Sequence, residues 1–329
     1  VGISLGGWAL ALPVAVLYIT MPVVDHLVGI NRSNPHPDAP PKAAPLHDWL
    51  LWSFVPAQVV FITWGIGVVI HGEASLVEQV ATVVNIGLIA GSFGITVAHE
   101  LMHRTSRFER GLAEILMGSV TYTWFCIEHV YGHHRHVATP QDPASSRQGE
   151  SLFAFLPRTL VGTVQSAWRI EDQRRKKLGI SAFSLHNRML RCAVGLVLMY
   201  GVTFGAFGWI GVAVVAAQSA VAVLMLEIIN YIEHYGLQRK RLANGRFERV
   251  QPRHSWNASH KISNWMLINL ARHSDHHAYA ARPFYALRHH EDVPQMPSGY
   301  GAMFLLALVP PLWFAVMDPL ADRWNAAEG

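Results

Sequence analysis

Two histidines four residues apart share one face of an α-helix, and this sequence repeats that arrangement. His99-Glu100-Leu101-Met102-His103 is the first instance. His129-Val130-Tyr131-Gly132-His133, followed at once by His134, is the second. A third cluster is His273-Ser274-Asp275-His276-His277, and Asn230-Tyr231-Ile232-Glu233-His234 lies between them. Helical geometry lets His99 and His103 hold one metal ion. It also puts His129 and His133 on a shared face and turns His134 toward a second site. A single metal takes about four to six ligands. Nine imidazoles (His99, His103, His129, His133, His134, His234, His273, His276 and His277) therefore imply two metals. Imidazole suits iron, zinc, copper and nickel, and it binds in its neutral form, so affinity falls as pH drops. No catalytic side chain beyond these ligands is expected.

Carboxylates stand beside the clusters. Glu100, Glu128, Glu233 and Asp275 are expected to accept imidazole N–H groups and so orient the ligands. Asp142, in the loop after the second cluster, is a weaker candidate. His26, His36, His47, His71 and His186 read as polar anchors, and His289 and His290 as surface residues. His136, His254 and His260 are left open.

The first cluster also matches HExxH, the signature of zinc proteases, in which the glutamate is a general base. That chemistry needs one zinc and one more ligand, and would leave six other clustered histidines without a role. A metal transporter would spread its ligands along a path, whereas these gather at the ends of apolar segments.

Those segments must position the ligands. Hydrophobic residues make up 51% of the chain and charged residues 15%, far below the roughly 25% charged residues of soluble domains. Five stretches are long and apolar enough to cross a membrane: 4–24, 50–70, 75–98, 190–208 and 211–232. Glu78, Asn85, Gln218 and Glu227 inside them should face protein rather than lipid. The shorter apolar stretches 112–127 and 300–317 read as re-entrant, interfacial or buried, the second broken by Pro310 and Pro311.

Of 26 Lys and Arg, 23 fall in residues 99–189 and 233–329, and the turns at 71–74 and near Gly208–Trp209 hold none. The positive-inside rule then places both basic blocks, and the segment 25–49 with Arg32 and Lys42, on the cytoplasmic side. All four histidine clusters lie on that side too. The formal charge of +4 therefore reflects membrane topology, and no nucleic-acid partner is expected. Two cysteines, Cys126 and Cys192, exclude a disulfide framework and a cysteine-held metal.

The clusters resemble the membrane-bound non-haem di-iron family of fatty acid desaturases and hydroxylases, with its three histidine boxes. Within it, His99–Arg104, Glu128–Arg147, NYIEHYG at 230–236 and RHSDHHA at 272–278 are most similar to the alkane 1-monooxygenases. The similarity extends to His254-Ser255-Trp256-Asn257 and Pro297–Gly301. It implies an all-α polytopic transmembrane bundle, one domain over 1–329, with a cytoplasmic helical cap holding a His-rich di-iron site. It also implies six spans, so a helix ahead of the five visible ones is expected. Two irons held by the nine histidines, O2 as co-substrate and electrons from rubredoxin, with rubredoxin reductase upstream, complete the family's pattern. The location implied is the bacterial inner membrane.

The chemistry suits such a site. An unactivated terminal C–H bond offers no charge, acidic proton or leaving group, so a redox metal that activates O2 is required. The substrate, a medium-chain n-alkane, partitions into the bilayer at about 0.8 kcal/mol per CH2 and would enter from it. Leu17, Phe54 and Phe61 are candidate channel residues. The basic run Arg174, Arg175, Lys176 and Lys177 is a candidate docking surface for an acidic rubredoxin. Near rivals on the same scaffold are a fatty acyl desaturase or hydroxylase and a xylene-type hydroxylase.

Overall fold

A computed structural model describes residues 2–36 and 44–326. Lys42 of the expected cytoplasmic segment lies outside the described residues. Among the described residues the regular structure is helical, with only isolated bridges such as Asn257 to Gln295.

The long helices are α1 Gly7–Val28, α2 Pro45–His71, α3 Leu76–Met102 and α6 Arg188–His234, and each is apolar enough to cross a membrane. Between α3 and α6 lie α4 Arg107–Ser119 and α5 Leu152–Leu178. After α6 come the six-residue α7 His273–Ala278 and the pair α8 Tyr300–Ala307 and α9 Pro310–Ala326. The last two are bent by 120° at the break before Pro310 and Pro311, which makes them a broken span or a re-entrant loop.

Helix α6 has 47 residues, about 70 Å at 1.5 Å per residue and more than twice the bilayer core. Its backbone leaves the helical region once, at Gly208 with φ 61° and ψ −161°, a conformation that glycine adopts without penalty. The two expected spans 190–208 and 211–232 meet there. These helices fit an integral membrane protein.

The described residues form two compact units. The first comprises those of Val1–Val16, Ala43–Glu128 and Ala167–Leu226. Its core packs Ile62, Ile66 and Val69 of α2 with Ile86 of α3 and Val214 and Val215 of α6. Helix α3 opens on a capping box. The Glu78 amide donates to Ser75 Oγ at 3.4 Å, and Glu78 Oε2 accepts from the Ser75 amide at 3.0 Å. Glu78 thus closes the helix start, and it also accepts from the Gly7 amide at 2.9 Å. The deeper polar residues are held by protein as expected. Asn85 donates to the Leu10 carbonyl and Gln218 to that of Ser119, both at 2.8 Å.

A π-turn over Ala90–Gly94 interrupts α3 just before the first histidine box and adds a residue to the turn, which re-aims everything after it. Gly94 lets the Gln58 side chain approach the backbone here. A Cβ there would stand 1.8 Å from Gln58 Oε1, whose amide nitrogen is committed to Ser119 Oγ at 2.8 Å. Gly94→Ala should therefore destabilise the protein by about 1–3 kcal/mol. Thermal unfolding in detergent checks this, and an unchanged midpoint would show that Gln58 swings clear.

The second unit comprises the described residues of Leu17–Lys42, His129–Ser166 and Glu227–Gly329. Its core is aromatic: Phe155, Tyr231, Tyr235, Trp256, Tyr300 and Trp313 pack with Met296, Met303 and Met317. Glu227 is bonded within it by Thr159 at 2.8 Å, as a polar residue of an apolar span must be.

Candidate metal centre

In the first unit, α3 carries His99 and is capped at its C-terminal end by His103, with ring centroids 5.1 Å apart, the pair the spacing predicts. Glu100 is engaged by Arg104, whose Nε donates to Oε1 at 3.0 Å. Glu128, fully buried, ends the helical turn Phe125–Glu128.

The second box is where the structure departs from simple helical reading. His129–His133 is a π-turn, in which hydrogen bonding runs from i to i+5. Residues five apart therefore face together. His129 Nε2 lies 3.0 Å from His134 Nε2, and His134 Nε2 lies 3.1 Å from His276 Nε2. His133 is sent the other way, with Nε2 3.2 Å from His277 Nε2. The expected partition, His129 with His133 and His134 apart, is thus reversed by the turn type, although the His129 and His133 rings still stack at 5.2 Å.

His133, His234, His273 and His277 form one group, all buried, with ligand nitrogens within 4.8 Å of one another. His273 Nε2 and His234 Nε2 are 3.2 Å apart. Such spacing matches nitrogens sharing one cation. With a metal–nitrogen distance of about 2.1 Å, adjacent ligands on an octahedron or tetrahedron stand roughly 3.0–3.4 Å apart. Protonation would instead bury several like charges together. Burial and the nearby His134, His273, His133 and His234 all hold His277 well below the ordinary imidazole range. The neutral ligand form is the one favoured.

The clearest orienting contact belongs to Asp142. His133 Nδ1–H donates to Asp142 Oδ2 at 2.8 Å, which leaves the Nε2 lone pair aimed at the other imidazoles. Ser145 Oγ donates to the same carboxylate at 2.6 Å, and the Ala144 amide to its other oxygen at 3.0 Å. Burial pushes the Asp142 carboxyl up, but the charge and hydrogen bond of His133 outweigh it and hold it below its usual range. Glu233 Oε2 lies 3.2 Å from His273 Nε2, and its other oxygen accepts from the Tyr300 hydroxyl.

Asp275 sits among the ligands in sequence, but its bonds go elsewhere. It accepts from Arg282 Nη1 at 2.5 Å, from the Arg288 amide at 3.0 Å and from His290 Nε2 at 2.8 Å. His290 is thus half-buried on Asp275, and His289 is buried with Nδ1 2.8 Å from Ser259 Oγ, so neither is the surface residue expected. His254 is pushed down to about 4 by burial, and its Nδ1 accepts from the Gln251 amide. Neither His254 nor His136 nor His260 joins a ligand group among the described residues.

The channel candidates are scattered. Leu17 is buried in the second unit, Phe54 is half-buried, and Phe61 packs on the core of the first unit. A cavity of about 750 Å3 does exist in the first unit, lined by Val59, Ile62, Ile66, Leu198 and Val202 among others. None of the three candidates lines it. Three of the four cations on α5 are held in ion pairs: Arg174 pairs with Glu171 at 2.8 Å, and Arg175 and Lys176 both pair with Asp172 at 2.6 Å.

A second cavity, about 620 Å3, lies in the second unit. It is lined by Arg147, Arg239, Lys240, Arg241 and Arg253, and also by Asp142 and Ser145. The sequence signal for it was present as the cationic stretch 239–253, which lacks helical periodicity.

A sequence model of the fatty acid desaturase family matches residues 78–307. The alkane 1-monooxygenase 1 of Pseudomonas aeruginosa is 42% identical over 327 residues, covering 98% of this chain and 85% of that protein. The alkane 1-monooxygenase 2 of the same organism is 40% identical, covering 96% and 85%. The xylene/toluene monooxygenase hydroxylase component XylM of Pseudomonas putida is 31% identical, covering 78% and 69%.

Proposed function

Because this chain belongs to the fatty acid desaturase family, and within it to the alkane 1-monooxygenases, we propose that it hydroxylates the terminal carbon of medium-chain n-alkanes, using O2 and electrons from rubredoxin. The carrying observation is the buried, mutually facing set of imidazole nitrogens, whose spacing fits a shared cation. In this reading all nine histidines are ligands and together hold two irons. Bound iron supplies the one-electron chemistry and O2 activation that an inert C–H bond needs.

The chain's own residues do the rest. Asp142 fixes the His133 tautomer, and Glu233 and Tyr300 hold the neighbouring side. Leu17, Phe54 and Phe61 remain candidates for limiting chain length, tested by bulkier replacements that should shorten the accepted alkane. The protein works in the bacterial inner membrane as one hydroxylase domain, with the ligand clusters on the cytoplasmic side as the Lys and Arg distribution requires.

For the electron donor, the basic cavity is a better match than the α5 run. Its cations line the same cavity as Asp142, which is hydrogen-bonded to His133. Reversing Lys240 and Arg241 to Glu should raise the KM for an acidic rubredoxin about tenfold or more at low salt, with kcat nearly kept. Reversing Lys176 and Lys177 should change little. Steady-state rates against rubredoxin concentration at two ionic strengths check both, and equal effects would reject the cavity.

The relative XylM favours one second reading, oxidation of an aromatic methyl group. Product analysis with octane and p-xylene under rubredoxin reduction separates them. Octane giving 1-octanol supports the alkane reading. Products from xylene alone overturn it.

A further inference from the structure

The core of the second unit is built from the side chains most readily oxidised by one electron. Tyr231, Tyr235, Tyr300, Trp256 and Trp313 are each at most 2% exposed. Tyr231 and Tyr235 have ring centroids 5.4 Å apart, and both contact Trp313, at 5.1 and 5.3 Å. The cluster touches the ligand group at one end. Tyr300 donates to Glu233, which reaches His273, and the Trp256 amide donates to the Glu233 carbonyl at 2.8 Å. Trp256 Nε1 then donates to the Tyr235 carbonyl at 2.8 Å. At the other end Trp324 packs on the cluster and lines the basic cavity.

Packing alone does not ask for this composition. Phenylalanine fills the same space without a hydroxyl that must be satisfied when buried. Here the Tyr235 hydroxyl donates to Asp318 Oδ1 at 2.6 Å, so its proton has a base to go to. A phenol gives up an electron most easily when its proton leaves with it.

From this arrangement we infer that Tyr231, Tyr235 and Trp313 form a relay that drains oxidising equivalents from the metal centre when O2 is activated without substrate. The inference rests on the functional reading above. In the draining step the Tyr235 O–H bond breaks, and its proton forms a new O–H bond on the Asp318 carboxylate. Its electron passes through the cluster to the O2-oxidised centre, which is reduced by one electron. Tyr235 is left as a neutral phenoxyl radical. One electron from the protein donor, arriving on the Trp324 side, and the proton returned by Asp318 restore the phenol. The relay would spare the ligand histidines from oxidation.

The test uses full-length, iron-loaded, reduced protein in detergent, mixed with O2 in the absence of alkane and frozen for electron paramagnetic resonance. Wild type should give a tyrosyl radical signal, and Tyr235→Phe should diminish it several-fold. In Tyr235→Phe the initial rate with alkane should be kept. The number of turnovers before inactivation should fall several-fold, and peptide mapping should find added oxygen on His234 or His273. Asp318→Asn, which keeps the shape and removes the base, should act in the same direction and carries the test should Tyr235→Phe fail to load iron. Wild type that binds no iron or takes up no O2 overturns the functional reading and this inference with it. Wild type that does both yet shows no radical, or variants that match it in radical yield and lifetime, overturns this inference alone.

Discussion

His277→Ala should leave the protein with one metal ion per chain instead of two and cut alkane hydroxylation by more than about 100-fold, beyond the loss usual for a residue behind a ligand. His277 shares one group with His133, His234 and His273, and its Nε2 faces that of His133 at 3.2 Å. It belongs to no other group among the described residues. Removing it takes one nitrogen from a four-imidazole set and weakens that set's hold on its cation. The His129, His134 and His276 set is untouched, so its metal should stay. Metal content by plasma emission and the rate with octane check the two halves separately. Loss of both metals would mean that the sets fold as one unit, and loss of neither would remove His277 from the ligands.

Asp142→Asn should lower metal affinity or turnover about 10- to 100-fold while the KM for alkane stays near its wild-type value. The substitution keeps the shape but removes the charge that favours a donor on His133 Nδ1. The carboxylate also takes bonds from Ser145 and the Ala144 amide, so Asp142→Ala should be worse than Asn because the loop loses its anchor as well. Competition titration with a chelator measures affinity, and full retention of metal and rate in Asp142→Asn would show that His133 needs no partner. A smaller loss for Ser145→Ala than for Asp142→Asn would place the effect on the imidazole rather than on the loop.

The clustering of the histidines was legible because metal chemistry constrains residue type and spacing together. A histidine at i and i+4 is meaningful on any helix, and three such clusters cannot be produced by packing needs. The turn in α6 was legible for a similar reason: only an uncharged, glycine-bearing break fits between two apolar runs, and Gly208 takes the backbone angle that demands it.

What the sequence hid depends on turn type or on contacts between distant residues. Nothing in HVYGHH announces a π-turn, and that extra residue decides which histidine joins which set. Asp142 ranked low because it stands nine residues from His133, whereas Asp275 ranked high by adjacency and turned out to serve Arg282 and His290. The α5 run looked like a free basic patch because its ion pairs with acids three and four residues away form only once the helix does. The basic cavity draws on residues from 138 to 325, and of these only the cationic stretch 239–253 stands out locally.

On the function proposed above, the nine histidines hold two irons that put oxygen from O2 onto the end of an alkane. The most direct measurement is iron per chain in detergent-purified protein, taken with the mass of the product formed from octane and 18O2 under a rubredoxin reducing system. Two irons and 1-octanol carrying one labelled oxygen is the predicted result. One zinc, or two irons with no label in any product, would contradict it.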